Sequence, residues 1–262
     1  MMDVFTTFDC NLPRVRIGDK ADGGYVLSEG LPPYDYLLSG GVDTTVRFEN
    51  SFVDRYGVPC VAYDHTVASL PPGENDPRVK HERRMVGAVE SDLGTNMTPY
   101  LDRYDDVFVK MDVEASEWEW IDALRSDQLD RISQMVIELH LLMDAKDNKH
   151  LRTDMETFYR RLELIKKLTR THLLTHVHAN NYGGSFAFRG QEYPCVIECT
   201  FLRKRTLGRI QLSSPNTVLM LNMRTFPSEL DSANAKNRED LNTGLLNGSP
   251  FRVNRFVQVK VV

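Results

Sequence analysis

The chain has 262 residues, 41% of them hydrophobic, and a formal net charge of −5 with acids and bases interspersed. That composition can build one sizeable α/β core, and its mild negative charge speaks against a general nucleic-acid binder that works through basic surface. No stretch approaches the roughly 18 consecutive apolar residues of a membrane helix, and the opening Met1-Met2-Asp3-Val4-Phe5 lacks the basic and apolar regions of a secretion signal, so a cytoplasmic chain with no membrane span is expected.

Apolar runs alternate with helical patterns along the chain. Residues 34–39 read as a first buried strand, 48–56 as a helix stopping near Gly57, and 58–64 as a second strand ending in an acid. The Pro- and Gly-rich stretch 68–76 is loop. A third strand is expected at 83–89, a helix at 98–103, a fourth strand at 107–112 and a helix at 118–125. A fifth strand at 132–139 ends at His140, a helix covers 151–168, and strands at 173–177 and 195–202 follow. This alternation predicts an α/β fold with a doubly wound, mostly parallel seven-stranded sheet whose late strand is the candidate for antiparallel pairing. Residues 1–203 make one domain; 204–262 read as a C-terminal extension packed on it, with one more strand or extended segment at 251–262. Cys10, Cys60, Cys195 and Cys199 show no zinc-type spacing and read as reduced core thiols.

The chemistry-bearing residues gather at strand ends, where an open α/β sheet presents its ligand site. After the first strand, Ser39-Gly40-Gly41-Val42 forms a glycine turn without a GxGxxG fingerprint, and Glu49 follows in the helix. Asp64 closes the second strand, where an acid either accepts hydrogen bonds from ribose hydroxyls or caps its own turn with Thr66. The segment from Arg16 to Leu27, with Asp22-Gly23-Gly24-Tyr25, is either a hairpin turn or a lid over the sheet edge that brings Lys20 or Arg16 to an anionic group.

Asp112 and Glu114 follow the fourth strand, Glu138 and His140 close the fifth, and His176, His178, Asn180 and Asn181 close the sixth, with Glu198 inside the seventh. Parallel strands bring these ends to one pocket. A His beside carboxylates suits a general base near neutral pH; it also suits a divalent ion, Mg²⁺ or Mn²⁺, on Asp112, Glu138 and His140. Glu117, Glu119 and Asp122 read as solvating and capping acids of a helix start. Trp118 and Trp120 read as packing residues, and Arg203-Lys204-Arg205 as a solvated strand end or, alternatively, a grip on the phosphates of an activated substrate.

The run Lys110-Met111-Asp112-Val113-Glu114-Ala115-Ser116-Glu117 resembles the strand-four signature of FkbM-type S-adenosylmethionine-dependent methyltransferases, in which Gly is common at the position of Ala115. The likeness is nearest to the branch that O-methylates sugars of capsules and surface glycans. It extends to Arg16, Gly18, Asp22, Gly23, Gly24 and Tyr25 at the start, to Glu138 and His140, to His178, Asn180 and Asn181, and to Pro194, Glu198 and Thr200, over about residues 14–203. The chain departs from the general methyltransferase pattern at Ser39-Gly40-Gly41-Val42, where an acidic-Gly-x-Gly is usual; Asp43 or Glu49 would replace the missing acid.

The resemblance implies a Rossmann-like class I methyltransferase that transfers a methyl group to a sugar hydroxyl of a nucleotide-activated sugar or a glycan. Lys20, Asp22, Gly24, Tyr25, Ser39, Gly40, Glu49 and Asp64 would hold S-adenosylmethionine, and Asp112, Glu138, His140, His178 and Asn180 would serve the acceptor. It leaves self-association open. Two rival expectations stand beside it: the same fold acting on another small metabolite, a lipid or a protein side chain, and a non-catalytic Rossmann-like binding module.

Overall fold

The computed structural model describes residues 3–5, 7–70, 76–141, 155–188, 191–213 and 222–223. Seven strands form the central sheet: β1 Tyr36–Gly40, β2 Cys60–Tyr63, β3 Val79–Glu82, β4 Val107–Met111, β5 Ile132–His140, β6 His172–Ala179 and β7 Val196–Arg203. Their spatial order is β6-β7-β5-β4-β1-β2-β3. All neighbours are parallel except β7, which runs antiparallel to both β5 and β6. The doubly wound, mostly parallel sheet with one late antiparallel strand is therefore observed.

Burial on both faces explains why these strands are near-continuous apolar runs: every residue of β1, β2, β4 and β5 is buried. The helices are α1 Arg47–Tyr56, α2 Thr98–Leu101, α3 Glu117–Ala123, α4 Ser126–Leu129, α5 Met155–Thr171 and α6 Lys204–Ser213. Helix α1 packs Phe48, Phe52 and Val53 against Leu37, Phe108 and Val136 on one face. Helices α3 and α5 pack Trp118, Ile121, Phe158 and Ile165 against Val109, Met135 and Ile137 on the other. Helix α1 stops where expected, at Gly57, whose φ of 71° is left-handed and whose N–H donates back to Val53.

Two expectations need correction. The third strand is Val79–Glu82, and within 83–89 only Met85–Val86 makes a short bridge, to Gly94–Thr95. At the sheet edge β3 buries only Val79, so it lacks the apolar run that marks an inner strand. Arg203 is not a solvated strand end either. It is fully buried, its Nη1 donating to the carbonyls of Asp105 and Asp130 at 2.7 Å each, its Nε to Thr206 at 2.9 Å, and its Nη2 to the Asp106 carboxylate.

The segment before the sheet is an antiparallel hairpin, Arg14–Gly18 with Gly24–Ser28, whose second strand is buried throughout. Gln134 on β5 fastens it by accepting from Ser28 N (2.8 Å) and donating to Ser28 O (3.1 Å), and Thr200 on β7 donates to Val26 O. It thus lies over β5 and β7, with its turn at the carboxyl end of the sheet. All four cysteines are buried and none is in a disulfide. Among the described residues no helix is long and apolar enough to cross a membrane. Phe8–Asp9 pairs with Asn222–Met223, and Leu207 of α6 packs with Cys10, Leu173 and Leu202. The strand expected at 251–262 and the helix start at 151–154 lie outside the described residues.

Candidate functional site

The strand order reverses between β1 and β4, so their connections leave in opposite directions and open a crevice at their carboxyl ends. A cavity of about 400 Å³ lies there, within the range of small-molecule sites. One wall is the turn after β1. Gly41 sits at φ 74°, and a Cβ on it would come 1.6 Å from the Asp112 carbonyl, so only glycine lets this turn lie against the end of β4. Asp64 staples the same turn. One carboxylate oxygen accepts from Val42 N and Asp43 N at 3.0 Å each, and the other from Thr66 N at 2.8 Å and Thr66 Oγ1 at 2.6 Å. Burial pushes its pKa up, but these donors outweigh burial and hold it below the usual carboxylate value.

Beneath the turn, the buried Glu49 carboxylate accepts from Ser39 Oγ at 2.5 Å, and burial raises its pKa against the pull of Lys110 and Ser39. Lys110 is buried in β4, with its ammonium donating to the carbonyls of Gly40 and Gly41 and standing 5.9 Å from the Tyr25 ring centre. It lines the cavity. Lys110 belongs to the strand-four motif without an evident role in the sequence; its signal is a lone cation inside an otherwise apolar strand.

At the other wall stands Asp112. Tyr25 Oη donates to it at 3.2 Å, and it is paired with Glu138. Burial alone would raise Asp112, but Lys110, Glu138, His140 and Tyr25 bring it below the ordinary value. Glu138 goes the opposite way: burial, then the neighbouring Asp112 charge and hydrogen bond, push it well up. The pair therefore shares a proton held on Glu138, which also accepts from Asn180 Nδ2. Cross-strand register continues this row, with Glu138 opposite Glu198 and Glu198 opposite His178, whose Nδ1 lies 3.2 Å from Glu198 Oε2.

His140 is held differently from expectation. Glu117, read from sequence as a solvating helix acid, is fully buried. Its Oε1 accepts from His140 N at 2.9 Å and lies 3.1 Å from His140 Nδ1. Nδ1 thus carries a proton toward Glu117, and the Ala115 N–H, 3.3 Å from the same nitrogen, is not a hydrogen bond in this tautomer. On the far side, Nε2 lies 3.4 Å from Glu114 Oε2. Burial disfavours the imidazolium, but Glu114, Glu117 and Glu138 outweigh it and push the pKa up to about 11. Glu114 and Ala115 have φ of 52° and 77°. The second is a conformation glycine adopts freely, which gives a physical reason for Gly at this place in the family that the motif resembles; Ala bears a strain of roughly 1–2 kcal/mol there.

Of the residues expected at the cofactor, Asp22, Glu49 and Asp64 line the cavity, while Ser39 and Gly40 lie buried under its wall. Lys20 is exposed and does not line the cavity, and Tyr25 reaches the acceptor end instead. Of the acceptor set, Asp112 lines the cavity; Glu138, His140, His178 and Asn180 are buried behind it. A cation-sized cluster of donor atoms, all within 4.8 Å of one another, consists of Asp112, Glu114 and His140, with Glu114 where Glu138 was expected.

No family model and no curated protein matches this chain. Among solved structures it is similar to a fibrillarin/Nop5p complex (14% identity, TM-score 0.38, covering 66% of this chain and 74% of that one). It is also similar to a putative hemolysin from Streptococcus thermophilus (10%, 0.37, 69% and 68%) and to a 16S rRNA (adenine(1408)-N(1))-methyltransferase from Catenulisporales acidiphilia (13%, 0.35, 65% and 88%). Likenesses this distant carry no argument about activity.

Proposed function

We propose that the chain is an S-adenosylmethionine-dependent O-methyltransferase acting on a sugar hydroxyl, carried on a nucleotide-activated sugar or a glycan. The observation that supports this reading is the cavity at the β1/β4 reversal, with the glycine turn as one wall and Asp112 as the other. The donor set suits the cofactor. Lys110 and Glu49 offer opposite charges to an amino-acid moiety beside the β1 turn, and Asp43, on the turn that Asp64 holds in place, offers an acceptor to ribose hydroxyls. When bound, S-adenosylmethionine supplies a methyl group on a positively charged sulfur.

The chain's own residues then align and deprotonate the acceptor. Alignment of two bound reactants contributes about 7–11 kcal/mol toward a barrier, and a placed base about 10²–10⁴-fold. Asp112, ionised and on the cavity wall, takes the hydrogen bond of the acceptor hydroxyl and draws its proton as the oxygen reacts. Tyr25 and protonated Glu138 fix the Asp112 carboxylate, and Asn180 fixes Glu138. His140, read from the sequence as a base, is biased by its carboxylate neighbours toward the protonated form and so favours an ionised Asp112. The sugar acceptor rests on the motif set. The carboxylates of Asp112 and Glu114 on the wall accord with it, since sugar hydroxyls donate to carboxylates.

Incubation with S-adenosylmethionine and a panel of nucleotide sugars and short glycans, followed by product mass, tests the reading. A gain of one methyl group on a sugar hydroxyl is the expected result. Methylation of a peptide, lipid or small metabolite with every sugar untouched would overturn the acceptor; methylation of nothing by a chain that binds no S-adenosylmethionine would overturn the activity.

A further inference from the structure

We infer that Asp112, Glu114 and Nε2 of His140 form a divalent-cation site at the acceptor end of the cavity, with Glu117 as the residue that positions His140. Two hard carboxylates and an imidazole suit Mg²⁺ or Mn²⁺. Three separate observations carry the assignment. The three donor groups converge from the end of β4, the following loop and the end of β5, within 4.8 Å of one another. The other nitrogen of His140 is engaged by a carboxylate, Glu117 Oε1 at 3.1 Å, which is how proteins fix the tautomer and direction of a metal-binding histidine. And the fully buried Glu117 has a second oxygen, Oε2, with no hydrogen-bond partner, so a buried carboxylate beside the cluster is only half satisfied by His140.

Asp112 and Glu114 both line the cavity, which leaves the remaining coordination positions facing the space an acceptor would fill. Glu138 is excluded from the set because it is engaged with Asp112 and Asn180.

Cation binding does not depend on the methyl-transfer reading. Only its role toward an acceptor hydroxyl, whose oxygen it would hold and acidify, rests on that reading. The test is therefore direct binding. The purified full chain, stripped with chelator, is titrated with MnCl₂ at neutral pH and followed by the Mn²⁺ paramagnetic resonance signal, with pulsed measurements for coupling to nitrogen. We expect saturable binding at a single site, with nitrogen coupling that disappears in His140→Asn. Glu114→Gln, at an exposed side chain that leaves the core intact, and Glu117→Gln should each weaken binding by about 10–100-fold, whereas Glu82→Gln should not change it. Absence of saturable binding, or binding with the same affinity and the same nitrogen coupling in Glu114→Gln and His140→Asn, would overturn the site.

Discussion

Asp112→Asn is expected to lower methyl transfer by about 10²–10⁴-fold while leaving S-adenosylmethionine binding essentially unchanged. The substitution keeps the shape of the side chain and removes a cavity-wall carboxylate that its neighbours hold below the ordinary carboxylate pKa. Everything around Asp112 acts to keep it so: Lys110 and His140 supply positive charge, and Tyr25 and Glu138 donate hydrogen bonds. An amide there can neither draw the acceptor proton nor hold a cation as well. The chain should stay folded, because the amide keeps the shape of the side chain and its oxygen still accepts a hydrogen bond there. Single-turnover rates and calorimetric cofactor affinity, measured on the same preparation, separate the effects. A rate within a few-fold of the parent would move the acceptor end away from Asp112.

The second large effect concerns stability and pH. His172 opens β6 with no exposed surface; its Nε2–H donates to Ile132 O at 2.8 Å and its Nδ1 accepts from Thr171 Oγ1 at 2.8 Å. Burial, helped by the nearby Arg203 and Lys204 cations, lowers its pKa from the ordinary 6.5 to about 4. A histidine kept neutral by the fold binds its proton more readily when unfolded. Its contribution is therefore fully present above about pH 6.5 and lost as pH falls toward about 4, amounting to about 3 kcal/mol across that window. For a chain of this size that corresponds to roughly 6–12 °C in Tm. His172→Gln, which keeps a donor toward Ile132, should lose most of this pH dependence while the parent retains it. Equal slopes of Tm against pH between 7 and 4 in the two proteins would contradict the assignment.

The inner strands were legible because physics leaves them few alternatives. A parallel strand covered on both faces must be apolar throughout, and Tyr36–Gly40, Cys60–Tyr63, Val107–Met111 and Ile132–His140 carry that signal before any fold is known. The edge strand Val79–Glu82 does not, and the apolar residues just after it drew the expectation forward to 83–89. Arg203 shows a different limit. A charged triplet at a strand end reads as solvated, and only the fold brings the carbonyls of Asp105 and Asp130 and the carboxylate of Asp106 around one guanidinium.

The site divides in the same way. Asp64, Glu49 and Asp112 could be read from their positions at or near strand ends, because strand order alone carries them to the crevice. What Asp64 does there is closer to the turn-capping alternative: it holds the glycine turn and Thr66 through four hydrogen bonds. Glu117 was illegible because an acid in the first turn of a helix has a ready electrostatic explanation; that this turn abuts the end of β5 and grips His140 is a fact of packing. Lys20 and Lys110 exchange parts for a related reason. Lys20, near the hairpin turn, looked free to reach a ligand, yet Lys110 inside β4 is the lysine on the cavity wall.

The account turns on whether the cavity between the β1 turn and Asp112 is a cofactor site, and calorimetric titration of the full chain with S-adenosylmethionine addresses that claim most directly. Saturable binding is predicted, weakened about tenfold or more by Lys110→Met, which removes a charge-assisted contact worth about 1.5–3 kcal/mol while keeping the side chain's length, and unchanged by Lys20→Met. No binding by the parent chain, or equal binding by the parent and Lys110→Met, would contradict it.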